Sequence, residues 1–110
     1  MRIRKGDICF VNLTGAFGHE QSGVRPAVVL ALTKTSIAIV IPLTTNFDAL
    51  RFAHTLTIEA TKQNGLTKDS AALLFHIRAI DSKRIEQKCG HVEAAVQRDI
   101  DDGLRELLGL

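Results

Sequence analysis

The sequence predicts a mainly β fold, a small barrel with a single C-terminal α-helix. Three observations predict it. Short apolar runs alternate with polar or glycine-bearing turns up to about position 91, and the apolar period then lengthens to three or four residues. A chain of 110 residues with 45% apolar content suits one core of ordinary domain size.

Asp7 to Leu13 reads as the first strand, followed by a long loop from Thr14 to Val24. A loop of that length in so small a domain is more often functional than decorative. Pro26 to Leu32 and Ser36 to Pro42 are continuous apolar runs joined by a Thr-Lys-Thr turn, which marks a hairpin buried on both faces at the centre of the core. A polar loop from Thr44 to Arg51 follows. His54 to Ile58 alternates as a half-exposed strand does, and Asn64-Gly65 is a strong turn signal. Ser70 to Phe75 and Ile77 to Ile80 supply further short strands, and Asp81 can cap a brief helical turn through Lys83 and Arg84. Val92, Val96, Ile100, Leu104, Leu107 and Leu108 then trace one stripe of an amphipathic helix that begins at Glu93. Gly103 inside that helix costs about 1 kcal/mol relative to alanine, which a close helix contact would explain. Many short strands and one terminal helix point to an SH3-like β-barrel, a single domain over residues 1–110.

Composition narrows the function classes. The longest apolar stretches, such as Ile37 to Ile41, are far shorter than a membrane span, and the basic start (Arg2, Arg4, Lys5) leads straight into a strand rather than into a signal-peptide core. The expected location is therefore the cytoplasm, away from any membrane. Cys9 and Cys89 lie far apart and form no C-x-x-C, so free buried thiols are expected. His19, His54, His76 and His91 show no ligand spacing, so neither a metal nor a cofactor is expected, and no glycine-rich nucleotide fingerprint is present. Residues 1–91 carry 12 Lys/Arg against 7 Asp/Glu, a net +5, whereas residues 92–110 carry 2 against 5, a net −3. A mildly basic body suits a polyanion such as RNA.

Arg25 stands where a loop punctuated by Gly15, Gly18 and Gly23 hands over to a strand. Pro26 biases it toward an extended conformation, so its guanidinium would sit on a rigid element beside a flexible one. The surrounding residues read G-H-E-Q-S-G-V-R-P from Gly18 to Pro26. Together with G-D-I-x-x-V-x-L (Gly6 to Leu13), P-L-T-T (Pro42 to Thr45), R-x-I-D (Arg78 to Asp81) and the closing Leu107-Leu108-Gly109-Leu110, this order of motifs resembles the MazF/PemK (Kid-like) family of endoribonuclease toxins nearly end to end.

That resemblance implies the MazF/PemK/CcdB-type toxin fold and metal-independent, sequence-selective cleavage of single-stranded mRNA. The reaction it implies is a transesterification that leaves a 2′,3′-cyclic phosphate and a 5′-hydroxyl in several members. It implies a homodimer and a cognate antitoxin whose acidic, disordered segment folds onto the toxin. Arg25 matches the family's catalytic arginine, and Thr44 the hydroxyl that contacts the same phosphate. Glu20 and His19 match positions proposed in one member or another as acid–base participants. Gln21, Ser22, Thr45, Asn46, His76 and Arg78 are the remaining candidates for RNA contact. Phe17 and Phe47, with Phe52, flank the proposed site and could stack unpaired bases.

Each assignment has a structural alternative. Arg25 could form a salt bridge to Glu20 or Asp7, Thr44 could tie down its own loop, and Arg78 could pair within R-x-I-D. The sequence also departs from the Kid-like branch, whose R-x-D pair has acid–base roles. Leu73, Leu74 and Phe75 stand there and cannot transfer protons, while His76 falls where another branch carries an RNA-contacting glutamine. The same fold serves toxins that trap DNA gyrase, against which the intact Arg25 and Thr44 argue; a member that retains only antitoxin binding is the other alternative.

Overall fold

A computed structural model describes residues 2–14 and 23–110. Seven strands precede one helix: β1 (Asp7–Asn12), β2 (Val24–Leu32), β3 (Ile37–Thr44), β4 (Thr55–Ile58), β5 (Ser70–Leu73), β6 (Arg78–Asp81), β7 (Ile85–His91) and α1 (Ala94–Leu108). All pairings are antiparallel, in the order β4-β5-β3-β2-β1-β7, with β6 also on β3. One edge of β3 lies on β2, and the other is shared, with Ile37 to Val40 facing β6 and Leu43 and Thr44 facing β5. A 3-10 turn at Leu74–His76 carries the chain between those two partners. No ladder joins β7 to β4 or β6 among the described residues, so the expected barrel is an open sheet.

The apolar runs of β2 and β3 are explained by two cores, one on each face of the sheet. Ile8, Val28, Ile41 and Leu43 pack with Leu74 and with Val92 and Ile100 at the helix. Cys9, Val11, Ala27, Val29, Ala38 and Val40 pack with Ile80 on the other face. Consecutive side chains of a strand point to opposite faces, so a strand with a core on each side needs apolar residues at every position.

The helix follows its stripe, ending at Gly109, which takes the left-handed conformation (φ 72°) while Leu110 N–H donates to the Arg105 carbonyl. Gly103 faces Leu74: a Cβ there would lie 2.6 Å from Leu74 Cδ2, which accounts for a glycine in mid-helix. Asp81 caps the 3-10 turn Ser82–Arg84, accepting from Lys83 N–H at 2.9 Å, as the sequence predicts.

Three expectations change. The loop after Thr44 contains a 3-10 turn, Phe47–Arg51, capped by Asn46, whose Oδ1 accepts from Asp48 N–H at 3.0 Å. The strand expected over Ser70 to Phe75 stops at Leu73. The third change is β7, which the sequence does not announce. Its residues, Ile-Glu-Gln-Lys-Cys-Gly-His, lack β-branched apolar side chains after Ile85, and Glu86, Gln87 and Lys88 are exposed. β7 stands at the end of the sheet, where charged side chains discourage further pairing and erase the apolar signal.

The Asn64-Gly65 turn is a buried polar fastening. Asn64 Oδ1 accepts from the N–H groups of Thr61 and Leu66 at 3.0 Å each, and Nδ2 donates to the Glu59 carbonyl at 2.7 Å. Asn64→Ala is expected to cost about 1–2 kcal/mol, because three backbone groups of a part-buried turn lose their side-chain partner at once and water replaces it only in part; urea unfolding would measure it.

Both cysteines are free thiols. Burial, followed by the neighbouring Asp7 carboxylate, pushes Cys9 up to about 11, and burial raises half-buried Cys89. Neither is a reactive thiolate near neutral pH. Among the described residues no helix is long and apolar enough to cross a membrane.

Candidate active site

Arg25 belongs to β2 itself, opposite Val11 of β1, so the strand begins two residues before Pro26. Along β2 and β3 the register pairs Ala27 with Pro42. The β2–β3 ladder ends at that pair; carried two residues further, its register would set Arg25 opposite Thr44, the last residue of β3. Directly opposed residues of an antiparallel pair share a face, so guanidinium and hydroxyl emerge on the same side. That side carries Ala27, Val29 and Val40 deeper in the sheet, and it becomes half-exposed at Arg25 and Thr44.

Arg78 opens β6 opposite Val40 and so shares this face, four positions along β3 from Thr44. His76 lies in the 3-10 turn just before it, half-buried, its ring 4.5 Å from that of Phe75. Arg25, His76 and Arg78 are all engaged by contacts within the fold. The sheet thus gathers Arg25, Thr44 and Arg78 on one face with His76 alongside, from three segments that are distant in sequence.

Two alternatives from the sequence can be judged. Asp7 is not positioned as the partner of Arg25. It sits four residues along β1 from the Val11–Arg25 pair, about 13 Å away at strand rise, and is committed to Lys88 Nζ (3.2 Å) and His91 Nδ1 (2.7 Å). Thr44 does tie down its own loop, since its Oγ1 accepts from Asn46 N–H at 3.2 Å. The two roles are compatible. A hydroxyl that accepts from the backbone has its oxygen fixed and retains its O–H donor for an anionic oxygen.

Thr45 and Asn46 are exposed beyond Thr44, and Phe47 opens the 3-10 turn with 45% of its surface accessible. A cleft of about 110 Å³ lined by Phe10, Pro26, Thr45, Leu66 and Lys68 belongs to the other face of the sheet, since Pro26 alternates with Arg25 along β2. Phe17, His19, Glu20, Gln21 and Ser22 lie outside the described residues. The neck of their segment is closed by Leu13 N–H, which donates to the Gly23 carbonyl at 2.8 Å.

Sequence reasoning missed Phe75 as a surface aromatic. Its ring meets that of Phe52 edge-on at 6.0 Å, and the Arg51 guanidinium lies 4.9 Å over Phe52. The available signal was the Leu-Leu-Phe-His run: with Leu73 and Leu74 both buried, strand alternation is broken and the next residue turns outward. Leu73 and Leu74 fill the core and can exchange no proton, so acid–base groups must come from elsewhere.

Known proteins resemble this chain over nearly its whole length. Residues 4–108 match the model of the PemK-like, MazF-like toxins of type II toxin–antitoxin systems. Endoribonuclease EndoA of Bacillus subtilis is 32% identical over 114 aligned residues, which span 100% of this chain and 97% of that protein. The crystal structure of MazF from Deinococcus radiodurans superposes with a TM-score of 0.80 at 28% identity, covering 96% of each chain. A mycobacterial endoribonuclease in complex with its cognate antitoxin shares the fold at a TM-score of 0.74 and 18% identity, covering 99% of this chain and 97% of that one. With a match to the family model over residues 4–108 and a relative 32% identical over the whole chain, the chain belongs to the PemK-like, MazF-like family of type II toxin–antitoxin toxins.

Proposed function

We propose that this protein is an endoribonuclease toxin that cuts single-stranded mRNA at a short sequence motif without a metal ion, and so arrests translation. The observation that carries this reading is the register that brings Arg25 and Thr44 to one face at the end of β3. Intramolecular attack by a 2′-hydroxyl builds negative charge on the phosphate, and the departing 5′-oxygen needs a proton. The planar fork of Arg25 suits the phosphate oxygens, and the Thr44 O–H supplies a second, backbone-anchored donor. The acid–base work falls among Glu20, His19 and Arg25 itself. Gln21, Ser22, Thr45, Asn46, His76 and Arg78 would hold the flanking nucleotides, with Phe17 and Phe47 as stacking surfaces.

The proposed assembly is a cytoplasmic homodimer, neutralised by a cognate antitoxin whose acidic segment competes with RNA for the same basic face. The crystal structures of MazE–MazF from Deinococcus radiodurans and of the mycobacterial toxin with its antitoxin support that kind of partner.

The test is to incubate the purified protein with a long unstructured RNA in EDTA and map the new 5′ ends. Discrete cuts at a recurring motif are expected. Intact RNA with folded protein would shift the reading to a gyrase-directed or purely antitoxin-binding module. Within this reading, Thr44→Val should slow single-turnover cleavage by roughly tenfold or more, whereas Thr44→Ser, which keeps the donor, should stay near wild type.

A further inference from the structure

Arg84 ends the 3-10 turn Ser82–Arg84 just before β7, and its side chain is exposed. Its Nη1 donates to two carbonyl oxygens 72 and 70 positions earlier, Asn12 O at 3.1 Å and Thr14 O at 3.1 Å. These two carbonyls bracket Leu13, whose N–H closes the neck of the long loop on Gly23 O. Asn12 also fixes this backbone from within, its Oδ1 accepting from Thr14 N–H at 2.9 Å. The residue after Arg84, Ile85, pairs with Val11, and Val11 pairs with Arg25. One row across β7, β1 and β2 therefore links the base of Arg84 to the backbone of Arg25.

An exposed arginine contributes little to global stability through surface contacts of this kind. Two charge-assisted bonds from one nitrogen to consecutive exits of a strand do something more local. They hold the backbone at the end of β1, next to Val11, which lies opposite Arg25. We infer that Arg84 is a positioning residue for the reaction: it clamps the end of β1 through the Asn12 and Thr14 carbonyls and so fixes the strand against which the backbone of Arg25 is paired. The inference rests on the reading of Arg25 as the phosphate-binding group. It assigns Arg84 no contact with RNA.

Steady-state cleavage of one oligonucleotide by the wild type, Arg84→Ala, Arg84→Lys and Arg25→Ala, with hydrogen exchange on the same samples, tests it. Arg84→Ala should lower kcat about 10- to 100-fold with KM within about twofold, as misplacement of reacting groups does. Exchange at the Leu13 amide should rise about tenfold while the α1 amides keep their protection. Arg84→Lys should recover most of kcat, because one ammonium can donate to both carbonyls. A wild-type kcat for Arg84→Ala, or unchanged exchange at Leu13, overturns the inference. So does a raised KM with a reduced salt slope and constant kcat, which would make Arg84 an RNA contact. If Arg25→Ala cuts as well as wild type, the reading of Arg25 has failed instead, and the exchange result still decides whether the clamp exists.

Discussion

Arg25→Ala is expected to lose about a hundred- to a thousand-fold in cleavage rate, or about 2.7–4 kcal/mol of transition-state stabilisation, while the protein stays folded. Arg25 is half-buried at the end of β2, whereas the packing of that strand is carried by Ala27, Val28 and Val29. Removing the guanidinium therefore takes charge and hydrogen-bond geometry from the site without opening the core. Arg25→Lys separates those two contributions. It keeps the charge and loses the planar fork, so an intermediate rate is expected if bidentate contact with the phosphate matters. The check is single-turnover cleavage of a fixed oligonucleotide beside a urea melt of each variant. A full rate in Arg25→Ala with an unchanged melt would remove the site from this strand.

The arrangement behind that prediction was partly legible in the residues. Pro26 and the apolar run after it announce a strand with an arginine at its mouth, whereas Thr44 reads as the start of a polar loop and the structure carries β3 on to it. What the residues could not announce is the register. Whether Thr44 lies opposite Arg25 or one residue to either side depends on the pairing of Ala27 with Pro42, and a slip of one residue would send the hydroxyl to the other face. The sharing of β3 between β5 and β6 was equally hidden, because two short strands read over Ser70 to Phe75 and Ile77 to Ile80 do not say that both lie on the same neighbour, one on each side of the 3-10 turn Leu74–His76. That turn holds Leu74 in the core against Gly103 and exposes Phe75, so one local break fixes both a helix contact and a surface aromatic. β7 was illegible for a different reason. An edge strand is specified by partners on one side only, and its polar residues carry no period that a reader can use. Arg84 follows from that omission, since its clamp is visible only once β7 is laid beside β1.

Asp7 supplies the other large expected effect, on stability rather than on rate. Its carboxylate is fully buried at the start of β1, where Arg4 N–H donates to Oδ2 at 2.9 Å, Lys88 Nζ lies 3.2 Å away and His91 Nδ1 lies 2.7 Å away. Lys88 and His91 both belong to β7, so one carboxylate fastens the polar edge strand that apolar packing holds only weakly. Asp7→Ala should cost about 3 kcal/mol, the lower end for a broken buried pair, because the side chains of Lys88 and His91 are each about a third exposed and can be rehydrated. Burial alone would raise the Asp7 pKa, but the hydrogen bonds from His91, Arg4 and Lys88 outweigh it and hold the group below its ordinary value. A depressed native pKa means that the stabilisation is present in full above the unfolded value, about 3.9, and is lost as pH falls through the native one. Urea midpoints measured from pH 7 down to pH 2.5 should therefore fall through an acid limb below about pH 4. That limb should be shallower in Asp7→Asn, which keeps an acceptor for Arg4 N–H but has no proton to gain. Parallel acid limbs in the two proteins would show that Asp7 binds its proton as readily folded as unfolded, and the hold on β7 would then have to come from elsewhere.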